Sequence, residues 1–288
     1  MDEMALLQIK IYTRKFFRTL KRESIISIIM GFIITFLVMF VTKNNMFENY
    51  EGTKSGLFSL ICVCIWIGIF NSIQLVCREK NDIVKDELDK SLHATSYMAA
   101  HFIYQCILCA IQSFIVFIVF FAFMIIGGKG DIGFPLWYLI TIFLVMLASD
   151  AMAFVISSIV PNPIVAMTVM PLLLLIQLVM AGVLFELEGA SEMVAYFTVS
   201  KWGMSAFGTI CNMTGYETKI EGSIDPPMGL KVDDLEPDGG WIPQADMDAY
   251  GGDFGQVLLC WFIFLAFIAA FYFLSVWALK ATTKRIKK

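Results

Sequence analysis

Apolar and polar positions alternate along this chain in long blocks, which is typical of a protein that crosses a membrane several times. Apolar runs of about 20 residues recur, the length that an α-helix needs to cross the hydrocarbon core. Pro161 and Pro163 separate two of these runs, because neither proline continues a helix with normal hydrogen bonding. The pattern predicts an all-α membrane protein with six transmembrane helices, at residues 25–42, 57–77, 99–127, 136–161, 163–185 and 255–279.

The segment before the first crossing, residues 1–24, has the pattern of an amphipathic helix. Ile9, Tyr12 and Phe16 fall on one face together with Leu20. The basic residues spread over the opposite face: Lys10, Arg14, Lys15, Arg18, Lys21 and Arg22. The pattern predicts a connecting helix that lies on the anionic inner leaflet. An ordinary solvated helix is the alternative, but it leaves the apolar face uncovered.

A short, densely charged segment follows the second predicted crossing, at residues 78–92. Val84, Leu88 and Leu92 recur every four residues, so the segment is expected to be a helix with one apolar stripe. A charged helix between two crossings, on the side where basic residues collect, is suited to docking a soluble partner. We therefore predict a cytoplasmic coupling helix here, within a membrane domain of residues 25–185.

Composition agrees with this class and adds an orientation. Hydrophobic residues make up 58% of the chain and charged residues 16%, against roughly 45–50% and about 25% in soluble domains. The net charge is −4, but 15 of the 21 lysines and arginines lie in the N-terminal arm, the loop after the second crossing and the C-terminal tail. Because basic residues collect on the cytoplasmic side, both termini are predicted to be cytoplasmic, in a protein of the cell membrane.

The longest segment outside the crossings, residues 186–254, is acidic and lies on the outer side in this orientation. It holds 13 carboxylates against three lysines. Its apolar first part, to Met213, is expected to pack at the membrane, and residues 214–252 are expected to form a small irregular cap. Residues 255–288 supply the last crossing and a basic cytoplasmic tail.

Few polar residues occur inside the predicted crossings. Asp150 is the only formal charge deep in one of them, and an intramembrane acid suggests function; the alternative is an acid hydrogen-bonded at a helix interface. Gln112 and Gln177 are more typical of hydrogen bonds between helices. The seven cysteines favour no metal site: six lie in crossings, and Cys211 is either a buried thiol or an intersubunit bridge.

Signatures of an enzyme or of an ATP site are missing from the sequence. There is no HExxH, no GxSxG and no phosphate-binding GxxxxGK[ST] motif. Inverted repeats of the kind found in secondary transporters are not visible. We therefore expect a chain that is no enzyme by itself, binds no cofactor and has no nucleic-acid partner.

Two motifs and the layout of the whole chain resemble the permease of ABC-2 type exporters, in particular the ABCG-like (type V) branch. Arg78-Glu79-Lys80 and Glu87-Leu88 match the charged motif of that family's coupling helix. Residues 180–185, followed by residues 199–203, resemble the end of its fifth crossing and the re-entrant helices after it. Met180-Ala181 stands where the family has Phe-Ser, and Lys201 stands where proline is common.

The resemblance implies an architecture and a set of functional residues. It implies a dimer of permeases, homo- or heteromeric, with ATPase subunits on separate chains that bind ATP and Mg. Two sets of residues carry roles by this resemblance: Arg78, Glu79, Lys80, Glu87 and Leu88 would couple to the ATPase, and Gly182, Leu184 and Phe185 would form an outer gate. The alternative for the second set is that these residues only pack against their own bundle. The implied function is export of a hydrophobic or amphipathic substrate, such as a lipid, peptide or drug-like molecule. The alternatives are a non-transport membrane protein, such as a scaffold or lipid-active enzyme, and a secondary carrier.

Overall fold

A computed structural model describes residues 3–19, 21–88, 94–127, 135–185, 189–215 and 249–286. These residues form α-helices and a single 3-10 turn (Met213–Gly215), without a β-strand. The helices are α1 (Glu3–Thr19), α2 (Lys21–Thr42), α3 (Tyr50–Ser72), α4 (Leu75–Leu88), α5 (Ala94–Ile126), α6 (Pro135–Ile159), α7 (Pro163–Val179), α8 (Ala190–Ala195), α9 (Val199–Ile210) and α10 (Phe254–Ile286). The prediction of an all-α chain is confirmed.

Five helical segments among the described residues are long and apolar enough to cross a membrane. They are Glu23–Thr42, Tyr50–Lys80, Thr95–Ile126, Pro135–Ile159 and Phe254–Thr282. Each overlaps one of the six predicted crossings, so the chain is an integral membrane protein. The remaining predicted crossing corresponds to α7, which is apolar but shorter than the other five.

Helix α7 ends at Val179, whereas the sequence pattern predicted a crossing up to Phe185. Its 17 residues cover about 25 Å at 1.5 Å per residue, near the lower limit for a crossing. Asn162 begins the helix by accepting a hydrogen bond from the backbone N–H of Val165, as an N-cap does. Gly182 has a φ of +74°, a left-handed conformation that stops the helix soon after Met180.

Helices α3 and α6 form the centre of the molecule. A Cβ atom added at Gly68 of α3 would lie 2.4 Å from the carbonyl oxygen of Met146 on α6. The two backbones are therefore in direct contact, which only glycine allows at this position. Small residues produce such close helix contacts in membranes, where packing replaces the hydrophobic effect as the force between helices.

The coupling helix begins three residues earlier than predicted. Helix α4 covers Leu75–Leu88, and residues 89–92 of the predicted segment lie outside the described residues. Only Ile73 and Gln74 separate α4 from α3. The next helix, α5, has 33 residues and is about 50 Å long. It exceeds the roughly 30 Å hydrocarbon core, so it extends beyond the core by several turns.

Helix α1 packs its apolar face on the first turns of α5. Phe16 is 1% exposed, its ring stacks on His101 with 3.7 Å between centroids, and Tyr12 meets Tyr97 edge to face. Of the predicted apolar stripe, Phe16 is buried and Ile9 and Tyr12 are half-buried against protein, while Leu20 lies outside the described residues. The apolar side chains of Leu7, Ile11 and Phe17 remain exposed. The basic side chains Lys10, Arg14, Lys15 and Arg18 point outward.

Two short helices, α8 and α9, stand between α7 and α10. Most side chains of α9 are buried, and Gly203 approaches Ile61 of α3 and Val145 of α6. The amphipathic first part of the long outer segment therefore packs against the bundle. The predicted irregular cap falls largely on residues 216–248, which lie outside the described residues.

Candidate functional site

The motif Arg78-Glu79-Lys80 directs its three side chains to three different helices. Arg78 Nη1 donates to Glu23 Oε1 of α2 at 2.6 Å, and its Nη2 donates to Gln74 Oε1 at 3.2 Å. Both partners of the Arg78–Glu23 ion pair are exposed, and exposed pairs contribute only about 0–1 kcal/mol. Arg78 is therefore a loosely held cation on the outer surface of α4.

Glu79 turns inward and binds α5. Its Oε2 atom accepts a 2.6 Å hydrogen bond from the Tyr97 hydroxyl, which itself lies 2.7 Å from His101 Nε2. Because Tyr97 gives its single proton to the carboxylate, the proton of the second bond belongs to His101 Nε2. With Phe16 stacked on His101, these contacts connect α4, α5 and α1.

Lys80 is buried against the end of α6. It is 6% exposed, and its Nζ atom donates to the carbonyl oxygens of Ser158, Ile159 and Val160 at 2.9, 3.2 and 3.2 Å. The last carbonyls of a helix lack partners within the helix and carry partial negative charge. A lysine is well suited to this position.

Ser157 makes the complementary contact, from α6 to α4. Its Oγ atom accepts hydrogen bonds from the backbone N–H groups of Val76 and Cys77, at 3.0 and 3.2 Å. The first N–H groups of a helix have no partner within it, so Ser157 caps α4 from another helix. Sequence reasoning missed Ser157, because a serine near a helix end gives no signal of a contact 80 residues away.

The remaining coupling residues of the sequence prediction, Glu87 and Leu88, lie in the last turn of α4. Their side chains are outside the described part of the structure. The structure therefore brings Arg78, Glu79 and Lys80 onto the first turns of one helix and places Glu87 and Leu88 at its other end.

Asp150 lies at the interface of α3, α5 and α6. It is 1% exposed, and its Oδ1 atom accepts a 2.6 Å hydrogen bond from Ser72 Oγ, which in turn accepts one from Gln105 Nε2 at 2.8 Å. No lysine or arginine of the described residues pairs with Asp150. These contacts correspond to the alternative of a hydrogen-bonded interface acid.

Gln112 also joins helices. Its side chain accepts a hydrogen bond from Asn71 Nδ2 at 2.6 Å and donates to Ser27 Oγ at 3.0 Å. Ser27 Oγ donates to Asn71 Oδ1 at 2.6 Å. The three side chains come from α2, α3 and α5, so Gln112 has the connecting role expected of polar residues in crossings.

Gln177 of α7 caps the start of α9. Its Oε1 atom accepts the backbone N–H of Ser200 at 3.1 Å, and its Nε2 atom donates to Met152 Sδ at 3.5 Å. Thr198, the residue before α9, makes no side-chain cap of its own. The unpaired N–H groups at a helix start need acceptors where water is scarce, and Gln177 supplies one.

The predicted outer-gate residues form a turn rather than a helix end. Gly182 has a left-handed backbone, and the following Leu184 and Phe185 are 49% and 61% exposed. These two apolar side chains are not packed into the core of their own bundle. They are therefore available to meet another surface.

An aromatic pair on α3 is a further surface feature that the sequence analysis did not identify. Of α3, which the structure describes throughout, only Glu51, Ser55, Trp66 and Phe70 are exposed. Trp66 and Phe70 are one turn apart and share a face. The sequence shows only that the two aromatic residues are four positions apart within a run of small and aliphatic residues. That neighbouring helices bury the other faces of α3 follows from the tertiary structure alone.

Residues near α8 and α9 form a small polar group. The Lys201 ammonium lies 3.6 Å from the centroid of the Tyr196 ring and 3.9 Å from Glu192 Oε1. Burial lowers the pKa of Lys201, and the Glu192 carboxylate opposes that shift.

Cys211 is buried, and burial raises the pKa of its thiol. These properties favour the buried thiol over the intersubunit bridge. Among the described residues, no group of histidine, cysteine and carboxylate side chains is arranged to hold a metal ion.

Comparison with known families gives one match, to the family of the ABC-2 type transporter, over residues 7–210. The matched region begins in α1 and includes every helix up to the end of α9. No curated protein matches the chain. Permeases of this family are the membrane components of transporters and normally work with an ABC ATPase. The resemblance to ABC-2 type permeases is confirmed, whereas the ABCG-like branch stays a prediction. The chain belongs to the ABC-2 type transporter family as an integral membrane permease.

Proposed function

We propose that this permease is part of an exporter of hydrophobic or amphipathic molecules, and that ATPase subunits on separate chains drive it. The observation that carries the proposal is the set of contacts of α4. Three successive residues of this charged helix bind α2, α5 and α6. A displacement of α4 by a cytoplasmic partner would therefore reach three membrane helices at once, as energy coupling requires. ATP and Mg would bind to the partner, and this chain would bind no cofactor.

The ATPase would dock on the outward side of α4. Arg78 is exposed there, and the last turn of the helix supplies Glu87 and Leu88. A carboxylate such as Glu87 can accept charge-assisted hydrogen bonds from a basic ATPase surface, each worth about 1.5–3 kcal/mol. Glu79 and Lys80 would contribute from within the permease, because their side chains point towards α5 and α6.

A second permease, identical or homologous, would pack against α7. Only Ala166, Met170 and Gln177 of this helix are buried in its own chain. The large exposed side chains of α7 and α8 include Ile164, Leu172, Leu175, Ile176, Met193 and Val194. A helix held by three buried residues lacks most of the packing that a membrane helix needs, and a partner would supply it. Leu184 and Phe185 of two copies would then meet and form an apolar outer gate, as hydrophobic constrictions do in pores.

The proposed transport path runs between the second and fifth crossings, α3 and α7. Trp66 and Phe70 form the uncovered face of α3, and they would contact the substrate through their rings. In this arrangement α7 crosses the membrane as the fifth of six helices, and α8 and α9 are re-entrant from the outer side. The distribution of basic residues supports cytoplasmic termini, in the cell membrane with its lipids as surroundings.

Isolation of the complex tests this function directly. The tagged chain, solubilised in mild detergent from the cells that carry it, should retain an ABC ATPase and hydrolyse ATP with sensitivity to orthovanadate. Glu87→Ala should loosen the ATPase or reduce turnover while the permease stays inserted. Capture of the folded permease without an ATPase would contradict the proposal and favour a non-transport role. Full turnover in a Glu79→Ala/Glu87→Ala variant would contradict the role of α4.

A further inference from the structure

We propose that Lys80 and Ser157 join the coupling helix α4 to the cytoplasmic end of α6, so that the two helices move as one unit. This inference rests on the proposed function, because it concerns the path by which α4 passes on a displacement. It assigns Lys80 a positioning role inside the permease in place of a contact with the ATPase. It also assigns a role to Ser157, which no motif marks.

Contacts within this chain use the whole hydrogen-bonding capacity of Lys80. An ammonium group has three N–H donors and no acceptor. Its Nζ atom lies 2.9, 3.2 and 3.2 Å from the carbonyl oxygens of Ser158 and Ile159, the last two residues of α6, and of Val160 directly after it. All three donors are matched by these acceptors, and the side chain is buried. Lys80 therefore has no donor left for a carboxylate on another protein.

Helices α4 and α6 each bind the end of the other. Lys80 of α4 binds the last carbonyls of α6, and Ser157 of α6 binds the first N–H groups of α4, those of Val76 and Cys77. Each helix supplies the partners that the other helix end lacks. Sliding or rotating α4 relative to α6 would break both sets of bonds together, in a region where water cannot replace them.

The other contacts of α4 are weaker than its contact with α6. The ion pair of Arg78 with Glu23 is exposed at both ends, so water can replace it. The bond from Tyr97 to Glu79 is a single hydrogen bond. The contact with α6 and the adjoining Val160 has five hydrogen bonds, of which three come from a cation and four are buried. Among the described contacts of α4, the one with α6 is therefore the most resistant to displacement.

The contact between α4 and α6 gives a direction to a displacement that begins at α4. Helix α6 is followed, after Val160, Pro161 and Asn162, by α7, which has only Ala166, Met170 and Gln177 buried in its own chain. Asn162 caps α7 and fixes the short connection. A displacement of α4 would thus pass through α6 to α7, the element proposed to line the path and carry the gate.

A reversible lock tests whether α4 and α6 move together. Ser157→Cys is placed opposite the native Cys77, whose backbone nitrogen lies 3.2 Å from Ser157 Oγ, and oxidation to the disulfide is verified by the loss of both free thiols. The other six cysteines are first replaced, and ATP turnover of the purified complex is measured before and after oxidation and after reduction. Turnover should stay within about two-fold of the reduced form. A comparator lock, Glu23→Cys with Arg78→Cys in a chain that also lacks Cys77, is closed with a reducible bis-thiosulfonate cross-linker, because the long side chains of this contact keep the two backbones beyond the reach of a disulfide. This lock should lower turnover strongly, because it fixes the exposed contact of the same helix. Loss of turnover on forming the Ser157–Cys77 bridge would overturn the proposal.

Substitution of Lys80 gives an independent readout that does not depend on the disulfide. In Lys80→Met, the ATPase should copurify at the wild-type ratio, while ATP turnover falls and amide hydrogen exchange at Val76 and Cys77 becomes at least ten-fold faster. Lys80→Arg, which keeps the cation, should restore part of the protection. Loss of the ATPase from Lys80→Met would show that Lys80 is a docking contact and would refute the inference. A wild-type chain that captures no ATPase would instead refute the proposed function.

Discussion

The Tyr97 hydroxyl of α5 donates a 2.6 Å hydrogen bond to the carboxylate of Glu79 on α4. This bond joins a residue of the charged motif to the helix that also supports α1, through His101 and Phe16. The motif residue thus acts within the permease, although its charge in the sequence suggests a surface contact. The role of Glu79 can be separated from that of Glu87 for this reason.

Tyr97→Phe should weaken coupling without touching the ATPase surface. The substitution removes the hydrogen bond to the charged Glu79 acceptor, worth about 1.5–3 kcal/mol, together with the bond that His101 Nε2 donates to the hydroxyl, and leaves the ring in place. We expect normal copurification of the ATPase and reduced ATP turnover. Glu79→Gln is the matched control, because the amide oxygen still accepts the Tyr97 proton. Unchanged turnover in Tyr97→Phe would contradict a role for this bond.

Gly68→Ala should destabilise the permease. The new Cβ atom would lie 2.4 Å from the carbonyl oxygen of Met146, so α3 and α6 must separate, at a cost of about 1–3 kcal/mol. The measurement is the midpoint of heat inactivation, followed by size-exclusion chromatography in detergent. Gly255→Ala is the control, since no atom lies within 4 Å of its added Cβ. Equal midpoints for the two variants would show that the helices are not packed this closely.

Asp150→Asn should be tolerated, whereas Asp150→Leu should not. Asparagine keeps an oxygen that accepts the Ser72 hydroxyl at this buried position. Leucine leaves that hydroxyl without its acceptor, which costs about 1–3 kcal/mol. Folded yield and ATP turnover of both variants are the measurements. Wild-type folding of Asp150→Asn combined with complete loss of turnover would instead indicate that Asp150 exchanges a proton or contacts the substrate.

Leu184→Ala with Phe185→Ala should open the outer gate without unfolding the chain. Both side chains are largely exposed, and substitutions at exposed sites usually change stability by no more than about 0.5 kcal/mol. The expected result is faster dye leakage from proteoliposomes that contain the dimer. Leu265→Ala is the control, because this side chain of α10 is comparably exposed and lies outside the proposed dimer surface. A drop in folded dimer with no leak would assign the pair to packing.

The topology can be tested by cysteine accessibility in intact cells. The distribution of lysine and arginine predicts that α4 is cytoplasmic and that residues 214–252 face outward. An impermeant maleimide should label single cysteines placed in 214–252 and should reach Lys85→Cys only after permeabilisation. Native Cys211 should react slowly in both cases, because burial raises the pKa of its thiol and the thiolate is the reactive form. Labelling of Lys85→Cys in sealed cells would reverse the orientation.

Sequence alone determined the class of the protein and most of its helices. Apolar runs long enough to span a bilayer predict helices irrespective of their neighbours, because every backbone group must be satisfied within its own segment. The charged motif on α4, the motif after the fifth crossing and the layout of the whole chain together indicated the family. The end of α7 was misjudged, since Met180 and Ala181 are apolar and the left-handed backbone of Gly182 is not visible in a hydropathy pattern.

Only the tertiary structure decided what the individual polar residues do. Lys80 and Arg78 belong to the same motif, yet one is buried on the carbonyls of α6 and the other is exposed beside Glu23. Ser157, Tyr97 and Gln177 have ordinary local sequences, and their partners lie on other helices. A periodic pattern in the sequence shows which face of a helix is apolar, but it does not show which neighbour covers that face. The neighbour is decided by packing between segments that are distant in the chain.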